Sequence, residues 1–382
     1  MKVIIDDKIP YIKGALEPFA EVLYLPGKDT TPAVVKEADA LITRTRTICN
    51  ESLLKGSKVS FIATATIGFD HIDTAYCEQS GITWTNAPGC NAKSVEQYIA
   101  SVLFVMAERK GWTLAGKTLG VVGVGQVGSK VARLGSILGM KVLLNDPPRA
   151  RVEGEAGFCS LETVLAEADI ITLHVPLNLQ GEDATYHMAD EAFFKRLGKK
   201  PMLINACRGE VMETKAAIEA VRQERLTGLV VDCWEFEPNP DPTLLSLVDL
   251  ATPHIAGYSK DGKANGTSMS VQALSRFFNL GIDDWKATGV EVPDQTTLSL
   301  VGSSTDGTLL NNQELLAQAI LSTYDIRKDD ADLRHEPLRF EALRGDYPLR
   351  REFPVYTIEA TKVPADVIEQ LKQLGFMVLL KD

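Results

Sequence analysis

Residues 119–128 read LGVVGVGQVG, a short apolar strand pattern that leads directly into three spaced glycines. A helical pattern follows, with Val131, Leu134 and Leu138 on one face. Strand, tight turn and helix therefore come in the order that a dinucleotide-binding unit requires. In such a unit the first glycine permits the turn, the second lets backbone approach a pyrophosphate, and the third lets the helix pack on the strand. We predict that this loop binds the pyrophosphate of a dinucleotide.

The residues around this loop also indicate which dinucleotide binds. A helix that begins at the loop offers free N–H groups and the positive end of its dipole to phosphate oxygens. The next predicted strand leads to Asp146, where a carboxylate is expected to accept the ribose hydroxyls. Because a carboxylate repels a 2′-phosphate, we predict that the cofactor is NAD. NADP is one alternative, since Arg149 and Arg151 stand nearby. A second alternative is that the glycine loop is only a tight turn in a domain that binds no nucleotide. The loop residues assigned to the cofactor are Gly123, Gly125, Gln126, Val127 and Gly128.

Short apolar runs separated by helical patterns indicate an α/β protein with several domains. We predict a flavodoxin-like substrate-binding domain over residues 1–93 and 259–285, into which a Rossmann-type NAD-binding domain over residues 94–258 is inserted. Residues 286–382 are predicted to form a small α+β domain of βαββαβ type. The apolar runs lie at residues 3–5, 22–25, 40–42, 59–63, 82–84, 119–122, 142–144, 170–173, 202–204, 229–231, 324–326, 355–358 and 378–380, and the predicted helices include 92–109, 268–280, 311–321 and 365–374.

Composition and charge restrict the classes of function. The chain has 382 residues, of which 45% are hydrophobic and 24% are charged, as in ordinary globular proteins. Its formal net charge is −11, which argues against a general nucleic-acid or acidic-lipid partner, since both require a basic face. No apolar stretch approaches the roughly 20 residues of a membrane span. We therefore expect a cytoplasmic protein that acts on small molecules.

The cysteines and histidines do not indicate a disulfide framework or a metal centre. Six cysteines are scattered along the chain without a CxxC pair, which is typical of a reducing compartment. Cys207 and Cys233 lie beside candidate catalytic residues, but hydride transfer requires no thiol nucleophile. The histidines and carboxylates show no metal-ligand spacing. We predict packing roles for the cysteines and no metal.

Three polar segments each follow a predicted strand, where open α/β sheets bind their ligands. Arg208 offers a bidentate fork for a carboxylate, and His254 is suited to exchange a hydroxyl proton as hydride leaves. Glu237 would bond the far side of that imidazole and fix its tautomer. Together these side chains predict hydride transfer to or from a 2-hydroxy acid. The segments read NACRGE at 205–210, DCWEFEP at 232–238 and TPHIAGY at 252–258.

These segments resemble the D-2-hydroxyacid dehydrogenase family, whose members carry an arginine in NxxRG, a glutamate in DxxxxEP and a histidine in a late TPH. The resemblance covers roughly residues 1–285. It implies that Arg208 binds and activates the substrate, that Glu237 is the partner of the histidine, and that His254 is the general acid and base. Asp232 is implied to lie at the nicotinamide end. The further cofactor positions that it implies are Val175, Ala206, Cys207, Arg208, Asp232 and Gly257.

Other segments resemble the branch of this family that oxidises 4-phospho-D-erythronate on the route to pyridoxal 5′-phosphate. This resemblance implies substrate contacts from Thr45, Thr66 and Tyr258 and a homodimer formed through the C-terminal domain. It also implies one basic residue near the substrate; Arg44 is assigned to this role, and Arg46 is the alternative. The segments are LITRT at 41–45, ATATIGFDH at 63–71, APGCN at 87–91, NDPPR at 145–149 and YDIRKDD at 324–330.

Two other functions stay open at this point. One is a phosphoglycerate or glyoxylate-type dehydrogenase of the same family, against which the C-terminal extension and the threonine-rich segments argue. The other is an NAD-sensing binding protein without turnover, against which the complete set of arginine, glutamate and histidine argues. A separate hypothesis, from local charge, is that Arg344, Arg350 or Arg351 reaches the phosphate site of a second subunit.

Overall fold

A computed structural model describes residues 1–304 and 307–381 and divides the chain into two units. Unit 1 comprises Met1–Ala92 and Tyr258–Glu291, and unit 2 comprises Lys93–Gly257 together with the chain from Val292 onward. Within the described ranges no helix is long and apolar enough to cross a membrane. The predicted three-domain boundaries, 1–93 with 259–285, 94–258 and 286–382, stay a prediction.

Unit 1, described throughout, is built on a parallel sheet of five strands in the order β2-β1-β3-β4-β5. This is the flavodoxin-like order that the sequence predicts. Each face of the sheet carries its own hydrophobic core, and the long helix α11 contributes Val271 and Leu274 to one of them. The elements are β1 (Lys2–Asp6), β2 (Glu21–Leu25), α1 (Pro32–Val35), β3 (Ala40–Thr43), α2 (Glu51–Leu54), β4 (Phe61–Thr64), α3 (Thr74–Gln79), β5 (Thr83–Thr85) and α11 (Lys260–Phe278).

Unit 2 contains a second parallel sheet, and within residues 93–257 it has six strands in the order β11-β10-β9-β8-β6-β7. The strand order reverses at β6, which pairs with β7 on one side and β8 on the other. Ligands bind at the carboxyl ends of strands beside such a reversal. The elements are α4 (Ala92–Lys110), β6 (Thr118–Val122), α5 (Gly128–Ile137), β7 (Lys141–Asn145), α6 (Pro147–Glu153), α7 (Leu161–Glu167), β8 (Ile170–Leu173), α8 (Glu191–Lys195), β9 (Met202–Asn205), α9 (Thr214–Arg222), β10 (Gly228–Val231), α10 (Pro242–Leu247) and β11 (Leu250–Ala251).

A third parallel sheet lies in the C-terminal extension, with the order β12-β13-β14 among residues 292–304 and 307–381. The predicted strand at 324–326 is wrong, because the Asp325 side chain accepts a hydrogen bond from the Arg327 amide and begins a helix at Ile326. The described part therefore has three strands where βαββαβ requires four. The elements are β12 (Thr297–Val301), α12 (Asn312–Thr323), α13 (Ile326–His335), α14 (Phe340–Gly345), β13 (Thr357–Thr361), α15 (Ala365–Leu374) and β14 (Met377–Lys381).

The extension is hydrogen-bonded to the six-stranded part of unit 2 next to its last strand. The Asp330 carboxylate accepts a hydrogen bond from the Ala251 amide at 2.7 Å. Arg334 donates to the carbonyl oxygens of Leu245 and Val248, at 2.9 and 2.8 Å. The first contact holds β11, which is only two residues long, from outside the sheet, and the other two hold the end of the helix before it. The extension thus fixes the strand that leads into the TPH segment.

Candidate active site

The glycine loop follows β6 and leads into α5, as the sequence predicts. Gly123 has a positive φ of 87°, and a Cβ there would lie 2.7 Å from the carbonyl oxygen of His174. A Cβ on Gly128 would lie 1.9 Å from the Gly123 oxygen, whereas one on Gly125 would meet nothing within 4 Å. The first and third glycines are therefore required by packing. The second glycine is exposed and leaves space beside the backbone, which fits close approach by a dinucleotide.

The next two loop residues, Gln126 and Val127, stand immediately before α5, and Val127 is its N-cap residue. Gln126 is exposed and Val127 is half-buried. Val175 lies across from the loop, since a Cβ on Gly123 would come 2.8 Å from its amide nitrogen. Its main chain therefore borders the loop, and its side chain packs against the core. Ala206 and Gly257, both half-buried, occupy the loops after β9 and β11.

Asp146 follows β7 and ties the glycine loop to α6. One of its oxygens accepts a hydrogen bond from the Val124 amide at 2.8 Å, and the other caps α6 by accepting from the Arg149 amide at 3.1 Å. Arg149 forms an ion pair with Glu153 at 2.7 Å, and Arg151 pairs with Glu182 and Asp183. Acidic neighbours thus compensate the charges of the two arginines that made NADP an alternative cofactor. The local charge favours NAD over a cofactor with a 2′-phosphate.

The TPH segment places His254 against Glu237. The Nδ1 atom of His254 lies 2.8 Å from Oε2 and 3.0 Å from Oε1 of that carboxylate, which also accepts from the Trp234 amide at 2.9 Å. Burial acts to raise the pKa of Glu237, but the hydrogen bond and charge of His254, with the charge of Arg344, bring it below its usual value. The pair is held through Nδ1, so Nε2 is the nitrogen suited to exchange a proton with a ligand.

Asp232 organises the turn that carries this histidine. The carboxylate is 1% exposed and accepts from the Thr252 hydroxyl at 2.6 Å and from the Ile255 and Ala256 amides at 2.8 and 3.0 Å. Burial raises its pKa above the ordinary aspartate value, against the opposing charge of His254. These are structural contacts within the chain. Its implied role at the nicotinamide stays a prediction.

Asn205 and Gly209, two residues of the NxxRG motif to which the sequence analysis gave no role, set the position of Arg208. The Asn205 amide donates to the carbonyl oxygens of Arg208 and Cys233, at 3.0 and 3.3 Å, and so joins the loops after β9 and β10. A Cβ on Gly209 would lie 2.0 Å from the Trp234 backbone, so only glycine permits this approach. The Arg208 guanidinium donates to the Cys207 carbonyl at 2.8 Å. The NxxRG signal reflects these contacts.

The buried thiols beside the site are protonated at neutral pH. Burial raises the pKa of Cys207 to about 11 and that of Cys233 well above its usual value. Among the described residues, the donor atoms of Cys233, Glu237 and His254 lie within 4.8 Å of one another, close enough for a shared metal ion. Glu237 and His254 are bonded to each other, however, and a protonated thiol is a poor ligand. The absence of a metal stays a prediction.

A second histidine–glutamate pair, which the sequence analysis missed, takes its glutamate from the same loop as Glu237. The Nε2 atom of His187 lies 2.5 Å from the Glu235 carboxylate, whose other oxygen accepts from the Thr214 amide at 2.9 Å. Burial acts to raise the pKa of Glu235, but the hydrogen bonds from Thr214 and His187 outweigh it and lower the pKa. The signal was present in the spacing Glu235-Phe-Glu237, which offers two carboxylates from one loop.

In unit 1 the predicted substrate residues lie after neighbouring parallel strands. Arg44 and Thr45 follow β3, and Thr66 follows β4. The Thr66 hydroxyl donates to the Gly68 carbonyl at 2.8 Å and lies 2.8 Å from the Thr64 hydroxyl. Tyr258 begins the return of the chain to this unit. Since carboxyl ends of adjacent parallel strands share one sheet edge, the structure brings the two threonine segments together.

The hypothesis that Arg350 reaches a second subunit is wrong, because its side chain is used within its own chain. It is 3% exposed and donates to the Gln97 amide oxygen at 2.9 Å and to the Ile255 carbonyl at 3.3 Å, and also to the Ser94 carbonyl. Arg351 is buried as well, at 8% exposure. Of the three arginines, Arg344 is the one for which contact with the phosphate site of a second subunit stays a hypothesis.

Comparisons with known proteins identify the family. Residues 91–256 match the model of the D-isomer specific 2-hydroxyacid dehydrogenase, NAD binding domain, and residues 303–375 match a domain of unknown function, DUF3410. The chain is 53% identical to the erythronate-4-phosphate dehydrogenase of Bacteroides fragilis over 95% of its own length and 100% of that protein. It is 40% identical to the enzyme of the same name from Chromohalobacter salexigens, over 100% and 99%. The chain belongs to the erythronate-4-phosphate dehydrogenase family.

A solved structure agrees with this membership. The D-lactate dehydrogenase from Aquifex aeolicus, complexed with NAD and lactic acid, is 26% identical and matches with a TM-score of 0.60. The match covers 74% of this chain and 97% of that one. The predicted α/β class and the recognised D-2-hydroxyacid dehydrogenase family are confirmed. Membership of the erythronate-4-phosphate dehydrogenase family does not by itself assign the individual site residues, which stay predictions.

Proposed function

We propose that the chain is an NAD-dependent oxidoreductase that oxidises 4-phospho-D-erythronate to (R)-3-hydroxy-2-oxo-4-phosphooxybutanoate in pyridoxal 5′-phosphate biosynthesis. The observation that carries the proposal is the bonded pair of His254 and Glu237, at the carboxyl ends of the sheet that also carries the glycine loop. Identity of 53% over nearly the whole chain to a protein with this name supports the substrate.

The residues of unit 2 fit an NAD cofactor. Gly125 presents exposed backbone without an obstructing side chain, and Gln126 and Val127 would supply amides to the pyrophosphate. The Asp146 carboxylate would accept hydrogen bonds from the ribose hydroxyls. NAD would supply the hydride acceptor. In this proposal Val175, Ala206, Cys207 and Gly257 line the cofactor through their main chains, and Asp232 holds the turn at the nicotinamide end.

The chain's own groups account for the proton and the carboxylate. Arg208 would hold the substrate carboxylate through its guanidinium fork and orient the carbon that bears the 2-hydroxyl. Nε2 of His254 would take the hydroxyl proton as the C–H bond breaks. The adjacent Glu237 carboxylate would stabilise the resulting imidazolium through Nδ1, at 2.8 Å. In the reverse direction the imidazolium returns the proton to the carbonyl oxygen.

Substrate contacts from unit 1 are part of the same proposal. Thr45 and Thr66 offer hydroxyls, Tyr258 offers a phenol, and Arg44 offers a cation toward an anionic substrate. The Thr66 hydroxyl is held in one orientation by its hydrogen bonds to Thr64 and Gly68, so a contact from it to the substrate would have a fixed geometry.

The C-terminal extension is proposed to form a homodimer in the cytoplasm. Strand β14 is an edge strand of its sheet and exposes apolar side chains, with Met377 at 60% and Leu380 at 70% exposure. Exposed apolar residues on an edge strand are a common feature of association surfaces.

The test compares three acids as reductants of NAD, with formation of NADH followed by absorbance. They are 4-phospho-D-erythronate, 3-phosphoglycerate and unphosphorylated erythronate. We expect the first to be used best, and His254→Ala to reduce kcat by about 10²–10⁴-fold. The exposed His335 gives the control variant His335→Ala, which should behave as wild type. Better use of another acid would return the chain to the general hydroxyacid class, and no turnover with any acid would favour an NAD-binding role.

A further inference from the structure

Unit 1 contains a lysine whose charge is poorly compensated. Lys263 lies in the second turn of α11 and is half-buried, with its ammonium 4.8 Å from the centre of the Tyr258 ring. Across the described ranges it forms no ion pair with a carboxylate, unlike Lys260 on the same helix, which pairs with Glu291 at 3.1 Å. Burial, followed by the charges of Arg44 and Lys260, lowers the pKa of Lys263 to about 8. The folded chain thus holds a partly desolvated cation beside other cations.

Arg44 has a similar setting. Its guanidinium donates to the carbonyl oxygen of Lys8 at 3.2 Å, which is a neutral acceptor. Glu291 is the carboxylate whose charge acts on Lys263, but it is already bonded to the Tyr11 hydroxyl and to Lys260. Those bonds, with that of Tyr11 foremost, lower the pKa of Glu291 to about 2, so it stays ionised in its own pairing. Its charge acts to raise the pKa of Lys263, but burial and the charges of Arg44 and Lys260 outweigh it.

The position of this cation pair in the fold is that of a ligand site. Arg44 follows β3, next to the carboxyl end of β4, where parallel sheets bind their ligands. Tyr258 and Thr45, proposed as substrate contacts, are neighbours of Lys263 and Arg44 respectively. In a chain with a formal net charge of −11, a half-buried lysine on which the charge of Arg44 acts favours an anion with more than one negative charge.

We propose that Lys263 and Arg44 together bind the phosphate group of the substrate, and that Lys263 determines the preference for a phosphorylated over an unphosphorylated acid. This inference rests on the proposed function. The ammonium acts as a point charge that the Tyr258 ring holds in place, and the guanidinium supplies paired N–H donors to phosphate oxygens. Arg46 is not part of the site in this proposal, because its Cβ packs beside Gly27.

The test measures kcat/KM for 4-phospho-D-erythronate and for unphosphorylated erythronate in the whole protein, and compares their ratio between variants. We expect Lys263→Gln to lower this ratio by about 10- to 100-fold, the loss of one charge-assisted contact to phosphate. Lys263→Arg keeps the charge and should restore most of the ratio. Arg276→Gln removes an exposed cation from the same helix and should leave the ratio at the wild-type value.

Each outcome separates this inference from the proposed function. Wild-type preference for the phosphorylated acid, with an unchanged ratio in Lys263→Gln, would overturn the role of Lys263 and leave the enzyme assignment intact. Equal use of both acids by the wild type would overturn the proposed function itself. A second readout needs no activity: inorganic phosphate should raise the Tm of the wild type and of Arg276→Gln, but raise that of Lys263→Gln by less. An equal rise in all three would exclude a phosphate site at Lys263.

Discussion

The loop after β10 contributes two glutamates to two histidine pairs, and the two pairs differ in what surrounds them. Glu237 bonds His254 at 2.8 Å, and Glu235 bonds His187 at 2.5 Å. The imidazole of His254 lies in a turn that Asp232 holds by three hydrogen bonds. That of His187 stacks on the Tyr186 ring, with ring centres 4.0 Å apart.

The second oxygen of each glutamate shows the difference in role. Glu237 accepts from the Trp234 amide within its own loop, so the carboxylate serves mainly the histidine. Glu235 accepts from the Thr214 amide, the first residue of α9, so its pair joins three separate segments. The same chemical pair is therefore suited to proton transfer in one place and to tying loops together in the other. The local hydrogen bonds decide which role applies, and the pairing alone does not.

The strongest test of this difference between the two pairs is to replace each glutamate in turn by glutamine. Glu237→Gln should lower kcat on the order of 10²-fold, because a neutral amide no longer stabilises the imidazolium and can fix the wrong tautomer. Glu235→Gln should change kcat by less than about threefold, since its histidine has no part in the proposed chemistry. Steady-state rates with 4-phospho-D-erythronate and NAD measure both variants.

Equal losses of kcat in the two variants would contradict the separation of roles. So would a Glu237→Gln enzyme whose rate is normal. Binding of NAD, measured by fluorescence titration, serves as the check that each variant keeps its cofactor site, because neither glutamate belongs to the glycine loop.

A second test concerns how the turn around His254 is held from outside. Arg350 of the C-terminal extension donates to the Ile255 carbonyl, next to the histidine, and its guanidinium lies 3.7 Å from the centre of the Tyr324 ring. Within residues 1–304 and 307–381, the side chains of His187 and Glu235 form no hydrogen bond with the extension. We expect Arg350→Met to lower kcat by about tenfold, because the turn loses a charged donor and the imidazole is less well positioned.

The matched control for this variant is Arg339→Met. Arg339 is an exposed arginine of the extension, and its guanidinium pairs with the Glu336 carboxylate three residues before it. Rates are compared at a temperature at which circular dichroism shows both variants folded. A positioning role predicts a fall in kcat with Kd for NAD nearly unchanged. A parallel loss of NAD binding and rate would indicate general destabilisation instead.

The sequence predicted the parts of this site that depend on local patterns. The glycine loop, the strands before it and after it, and the order of Arg208, Glu237 and His254 all follow from apolar periodicity and motif context. Strand β11 was missed because two residues give no periodicity. The start of the helix at 326 was mistaken for a strand because Tyr324-Asp325-Ile326 alternates apolar and polar residues as a strand does, whereas Asp325 caps the helix.

Contacts between distant segments were not predictable in this way. Arg350 lies 95 residues from Ile255, and Asp330 lies 79 residues from Ala251, so no window of sequence contains both partners. The Glu235–His187 pair spans 48 residues and left only a suggestive spacing of carboxylates. The uncompensated charge of Lys263 depends on burial and on which carboxylates are already bonded, and neither is written in a motif.

The smallest expected effect is a pH-dependent loss of stability when the Glu235–His187 pair is broken. The pKa of Glu235 is lowered in the folded chain, since hydrogen bonds from Thr214 and His187 outweigh its burial. Its ionised form therefore stabilises the fold fully above the unfolded pKa of about 4.3, and this contribution is lost as the pH falls through the folded value. Urea unfolding should give Glu235→Gln a deficit of about 1 kcal/mol near neutral pH that shrinks below about pH 4. A deficit that stays constant to low pH would mean that the variant is less stable because packing is lost. The charge of the Glu235–His187 pair would then not be what holds the loops together.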